Sequence, residues 1–181
     1  MARLFRPAID LLQQYAEYHR DRRNIVTHFV GVPMIVFAVG VFLAGVSFTM
    51  GGLAVTPAWM VFSLVALWYL TRGQLALGAA TTLAIGLLVL LAHRVGAGPL
   101  GPWLAWSAGF FVFGWLIQFI GHYYEGRKPA FADDTVGLLV GPMFVVMEML
   151  APTGLFKDLL AAIERHAGPT VIRDLAHPAT R

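Results

Sequence analysis

The sequence predicts an all-α fold, a polytopic membrane helix bundle. It has four transmembrane spans, an N-terminal interfacial helix and a fifth apolar segment that is re-entrant or packed against the bundle. Three observations predict this. Of the 181 residues, 58% are apolar and only 13% charged, about half the charge of an ordinary soluble domain. The apolar residues fall into runs long enough to cross a bilayer, which takes roughly 20 residues. Lys and Arg flank those runs and form no stripe with interleaved aromatics, so the net charge of +3 is a topology signal and no nucleic acid partner is expected.

The elements follow in order. Residues 1–24 read as a short amphipathic helix, with Leu4, Phe5, Ile9, Leu12 and Tyr15 near helical spacing, lying along the membrane interface. The segment lacks the pattern of a cleavable signal peptide. Span one runs from about Ile25 to Met50, span two from Val55 to Leu70, span three from Gln74 to Ala92, and span four from Trp103 to Tyr123. Val136 to Leu150 is shorter, carries Gly137, Gly141 and Pro142, and places Glu148 in an apolar run. An unpaired charge there costs roughly 2.5 kcal/mol or more in lipid, so this segment is expected not to cross.

Charge counting supports the same topology. Four spans put Arg3, Arg6, Arg20, Arg22, Arg23, Arg72, Arg127, Lys128, Lys157, Arg165, Arg173 and Arg181 on one side and Arg94 alone on the other. A fifth span leaves a much weaker split, so both termini are expected to be cytoplasmic. Residues 1–167 are expected to form a single membrane-embedded domain, with any catalytic site inside it, and 168–181 a polar tail. The glycine- and alanine-rich composition favours a bacterial inner membrane.

Chemistry is constrained next. The absence of cysteine excludes disulfides, iron–sulfur clusters, thiolate zinc sites and cysteine nucleophiles. No nucleophile elbow, phosphate loop or nucleotide fingerprint is present. Two polar patches, YHRDRRNIVTHFVGVP (18–33) and QFIGHYYEGRKPA (118–130), stand at span ends. The predicted topology brings their histidines, His19, His28 and His122, to one membrane face, whereas His93 lies at the other and His166 and His177 in the tail region. Single histidines at span ends ordinarily bond water or headgroups. Three on one face beside carboxylates suggest a metal centre acting on a lipid.

Spacing adds geometry. His19 and His28 are nine residues apart and would point to opposite sides of one continuous helix, so the chain must turn between them. Asp21 and Asn24 are suitable N-caps for that break, with Asn24 as the start of the first span, and Pro33 disturbs the helix again. Gln118, His122 and Glu125, at i, i+4 and i+7, make a polar stripe that should face the bundle interior. Glu125 is a ligand or an acceptor that orients an imidazole. Glu148 can approach the same place, and Tyr18, Asn24 and Gln118 can supply further hydrogen bonds.

The two patches resemble the signatures of the Mpo-like family of membrane 2-hydroxy fatty acid dioxygenases. In that family a Tyr-His pair is followed by Asn, His and Gly-x-Pro, and later by Gln-x-x-Gly-His, a Glu, a basic residue and Pro-Ala. GPMFVVMEML (141–150) is similar to a third family segment, so the resemblance spans residues 15 to 150. It implies an Fe(2+) enzyme of fatty acid α-oxidation that converts a long-chain 2-hydroxy fatty acid and O2 to the acid one carbon shorter. The implied catalytic ligands are His19, His28 and His122. Arg20 stands where the family often has a second histidine, and the His122 to Glu125 spacing is tighter than the family's. The fourth ligand stays open between Glu125, Glu148 and water. The acyl tail is expected between spans, with Arg23, Arg127 or Lys128 holding the anionic head. The alternatives are a diiron hydroxylase or desaturase, which would need more histidines, and a b-type haem carrier using His28 and His122.

Overall fold

The computed structural model describes residues 2–175, so His177 and Arg181 of the predicted tail lie outside the described residues. The fold is mostly helical. After a 3-10 turn (Ala2–Phe5) come α1 (Ala8–Ala16), α2 (Arg22–Ala44), a hairpin of β1 (Phe48–Met50) and β2 (Leu53–Val55), α3 (Pro57–Leu70), α4 (Leu75–Gly96), α5 (Leu100–Glu125), α6 (Gly137–Leu150) and α7 (Lys157–Ala167), with further 3-10 turns at Ala130–Ala132 and Ala151–Thr153.

Among the described residues, α2, α4 and α5 are long and apolar enough to cross a membrane. At 1.5 Å per residue they span about 33–39 Å, against a hydrocarbon core of about 30 Å. Helix α3 is apolar, but its 14 residues reach only about 21 Å. Its outward surface is as greasy as that of its neighbours: Leu64, Leu67, Leu83, Leu87 and Phe113 are all exposed.

Span one ends earlier than the apolar run suggests. The helix stops at Ala44, and Phe48–Met50 pairs antiparallel with Leu53–Val55. Gly51 and Gly52 both have positive φ, +59° and +83°, as a two-residue hairpin turn of the strand-matched hand requires. Hydropathy alone does not see this turn, because the residues on either side are as apolar as the helix.

The loops sort into two ends. At one end Thr56 bonds His93 at 2.8 Å and the Trp103 indole N–H donates to the Val41 carbonyl at 2.6 Å. At the other, the Ala8 N–H donates to the Arg72 carbonyl and Trp68 Nε1 to the Leu4 carbonyl. The 70–75 connection, the α1–α2 turn and the end of α5 therefore share an end, as the charge count requires.

Helix α6 does not separate these ends. Tyr18 just before α2 bonds Asp133, which precedes α6, and Arg20 lies 3.9 Å from Glu148 near the end of α6. Both ends of α6 are thus tied to the same turn. Val140 to Val145 and Met147 are buried, Tyr69 donates to the Leu139 carbonyl, and the chain bends by 119° into α7. Helix α1 packs on α6 and α7 through Leu11, Leu12 and Tyr15.

Helices α2 and α5 form the most extensive pair, crossing on small residues. A Cβ at Gly31 would meet the Gly114 carbonyl at 2.9 Å, and one at Gly121 would collide with Thr27 and with Asn24 Oδ1. This close approach sets the separation of His28, which directly follows Thr27, and His122, which directly follows Gly121. Gly121→Ala is expected to force the helices apart and cost about 1–3 kcal/mol, the usual range for overpacking. Thermal unfolding in detergent checks this, and an unchanged midpoint would show that the crossing is loose.

Candidate metal centre

Helix α1 ends at Ala16, and the chain turns through residues 17–21 before α2 begins. The cap is Asp21, with extended backbone and a carboxylate accepting the Arg23 N–H at 2.9 Å; Asn24 lies inside the first turn, not at its start. Burial alone would raise the Asp21 carboxyl. Hydrogen bonds from the Arg23 side chain and from the backbone N–H groups of Arg173 and Arg23 outweigh burial and hold it below its usual range. The turn predicted between His19 and His28 is present, and it brings the two rings together.

All three histidines are buried, His19 completely. One ring nitrogen from each lies within 4.8 Å of the others, and the ring centroids are 4.5, 5.1 and 5.2 Å apart. Backbone carbonyls fix two of the tautomers. His19 Nδ1 is 2.7 Å from the Tyr15 carbonyl and His28 Nδ1 is 2.8 Å from the Asn24 carbonyl. A carbonyl only accepts, so each ring carries its proton on Nδ1, and each Nε2 in the neutral ring presents a lone pair.

Those two Nε2 atoms are 3.1 Å apart. They can hydrogen-bond to each other only if one ring takes up a second proton. Burial, and then the neighbouring His28 and His122, hold His19 well below the ordinary histidine range, which disfavours that charge. A metal ion held by both lone pairs would resolve the conflict. His122 Nδ1 is buried with no hydrogen-bond partner, leaving another nitrogen for the same task. The donor set is three neutral imidazoles, and the residues present fit a divalent transition metal.

Glu125 holds the turn. It is fully buried, and its Oε2 accepts the N–H groups of Arg20 at 3.0 Å and Asp21 at 2.7 Å and the Asn24 side-chain amide at 3.2 Å. Neither Glu125 nor Glu148 belongs to the histidine group. Glu148 faces Arg20 instead. The C-terminal segment covers the same turn: Val171 exchanges backbone hydrogen bonds with Arg20 and Arg22, and Arg20 donates to the Gly168 carbonyl.

A narrow groove of about 70 Å³ opens beside His28 and His122, lined by Gln118, Tyr15, Trp115, Val32, Ile35 and Leu138 among others. It is polar at the histidine end and apolar beyond. The three cations expected to hold an anionic head do not line it. Arg23 is engaged by Asp21 and the Arg173 carbonyl, Arg127 by the Glu17 carbonyl, and Lys128 by Asp133. Tyr18 gives its hydroxyl to Asp133, and its carbonyl accepts from the Asn24 amide.

Sequence reasoning missed Tyr15 and Phe144. Tyr15 stacks on His19 at 4.0 Å and 9°, and Phe144 lies 5.7 Å from the same ring. The signal for Tyr15 was available, since it precedes His19 by one helical turn and so shares its face. Phe144 comes from a segment more than a hundred residues away, and nothing local announces it.

The family described as 2-hydroxy-palmitic acid dioxygenase Mpo1-like matches residues 5–153. The chain is 32% identical over 162 residues to the 2-hydroxy-palmitic acid dioxygenase MPO1 of Saccharomyces cerevisiae, an overlap of 86% of this chain and 88% of that protein. No solved structure matches.

Removing the Glu125 carboxylate should leave two buried backbone N–H groups unpaired, each costing about 1–3 kcal/mol. Glu125→Ala is expected to lower the thermal midpoint of the metal-free protein and weaken metal retention, and Glu125→Gln, which keeps an acceptor oxygen, to do so less. A wild-type midpoint in Glu125→Ala would remove the clamp.

Proposed function

The chain belongs to the 2-hydroxy-palmitic acid dioxygenase Mpo1-like family, and from that premise we propose that it is an iron(II)-dependent membrane dioxygenase of fatty acid α-oxidation. It converts a long-chain 2-hydroxy fatty acid and O2 to the fatty acid one carbon shorter. The observation that carries the metal is the 3.1 Å approach of His19 Nε2 and His28 Nε2, both unprotonated, with His122 beside them.

His19, His28 and His122 hold the iron. Bound iron(II) supplies the one-electron chemistry by which O2 reacts with a closed-shell acid. The protein's own groups do the rest. The Tyr15 and Asn24 carbonyls keep the Nδ1 protons of His19 and His28 away from the centre. Glu125 keeps the two helices at the angle that converges the rings. Tyr15 and Phe144 pack against His19 and exclude water from its side. The groove admits the head of the acid, with the carboxylate and 2-hydroxyl at the histidines and the acyl chain running outward past Val32, Ile35 and Leu138, so binding orients the C1–C2 bond before reaction. The convergence of three imidazoles, with ring centroids no more than 5.2 Å apart, favours a single ion over a haem, whose macrocycle needs a slot between two axial ligands.

The proposed topology is fourfold, with α3 as the second crossing, since Thr56 at its start and Trp68 near its end bond residues at opposite ends of the bundle. The histidine end, which carries the basic loops, faces the cytoplasm.

His28→Ala and His122→Ala are expected to lose both iron, measured by elemental analysis after anaerobic purification, and conversion of 2-hydroxypalmitate to the acid one carbon shorter, measured by mass spectrometry. Full iron content and activity in both variants would exclude this ligand set. The chain contains no cysteine, so single substitutions report topology cleanly. Thr49→Cys should react with a membrane-impermeant maleimide in intact cells, and Lys128→Cys only after permeabilisation.

A further inference from the structure

Gln118 is a glutamine buried to 5% exposure in a long, largely apolar helix. It lies one turn before His122 on the same face of α5 and lines the groove together with His28 and His122. Its Oε1 is buried and has no hydrogen-bond partner. The stem is held against bare backbone, since a Cβ at Gly31 would stand 3.1 Å from Gln118 Cγ and 3.2 Å from Cδ. A buried acceptor left unpaired costs free energy, so one on a side chain that lines a groove points to a ligand with a donor.

The substrate class of the proposed reaction has one such donor. At neutral pH a carboxylate only accepts hydrogen bonds, whereas the 2-hydroxyl of a 2-hydroxy acid donates. The unsubstituted fatty acid of the same length meets the same apolar lining but leaves Oε1 unpaired. A site built to hydrogen-bond a hydroxyl rejects the analogue that lacks it.

We infer that Gln118 Oε1 accepts a hydrogen bond from the substrate's 2-hydroxyl and is the group by which the site distinguishes a 2-hydroxy fatty acid from the plain fatty acid; this rests on the dioxygenase reading above. Val32, Ile35 and Leu138 bind the chain of either acid, and Gln118 binds only one head.

The test uses the full-length, metal-loaded protein in lipid nanodiscs under anaerobic conditions, where no turnover occurs. Displacement of a fluorescent fatty acid by 2-hydroxypalmitate and by palmitate gives two affinities. The wild type is expected to prefer 2-hydroxypalmitate. Gln118→Leu should reduce that preference about tenfold by weakening 2-hydroxypalmitate alone, with palmitate binding unchanged. Gln118→Met, closer in shape, should do the same. An unchanged preference in both variants overturns the assignment, and so does equal weakening of both acids, which would give Gln118 a packing role. A separate aerobic assay reads the parent hypothesis: wild-type protein that leaves 2-hydroxypalmitate intact overturns the dioxygenase reading itself.

Discussion

The buried carboxylate of Glu125 is the constraint on which the site depends. Its Oε2 accepts two backbone N–H groups and one side-chain amide from residues 20–24. These are the groups that a break between two helices leaves without intrahelical partners. Without such an acceptor, residues 17–21 would expose orphan donors inside the protein, and the lower-energy alternative would be a continuous helix with His19 and His28 on opposite sides. One side chain at the end of α5 thus decides that α1 and α2 are separate, and the same helix carries His122 one turn away. The clamp and the third histidine arrive together.

The histidines are held by the same logic of satisfied backbone. His19 caps a carbonyl at the end of α1 and His28 shares one in the first turns of α2, each reaching one turn back. Local helix geometry therefore sets the tautomers before any ligand binds, and the lone pairs that remain are directed at one another. The glycines at the α2–α5 crossing allow the helices close enough for those lone pairs to meet those of His122. The result is a cluster of neutral donors in a dry interior. It is stable as an arrangement only because its protons have been directed outward to carbonyls.

Much of this was legible in the sequence, and the parts that were not have a common cause. The histidine triad, its separation from His93 and His166, the turn after His19 and the inward stripe of Gln118, His122 and Glu125 all follow from composition, charge asymmetry and helical spacing, which are one-dimensional signals. The packing of Val136 to Leu150 followed from the cost of Glu148 in lipid. Of the two N-caps expected, Asp21 is the one used, and the span starts there and not at Asn24, whose side chain is drawn into the Glu125 network. The hairpin at 48–55 was hidden because hydropathy does not distinguish apolar strand from apolar helix. Arg23, Arg127 and Lys128 have the charge that an anionic head would need. Charge alone does not reveal that Asp21, the Glu17 carbonyl and Asp133 already engage them.

The sequence by itself determined that this chain partitions into a membrane, where its basic loops gather, and which residues can ligate a metal, since those follow from transfer energies and side-chain chemistry. Only the tertiary structure decided what each polar residue does there. Whether Glu125 clamps a turn or faces the histidines, and whether Glu148 meets Arg20 or the histidine cluster, depends on distances of a few ångströms between segments more than a hundred residues apart. In a buried site those distances decide everything, because an unpaired polar group there is costly and each must take the nearest partner that the packing of the helices allows.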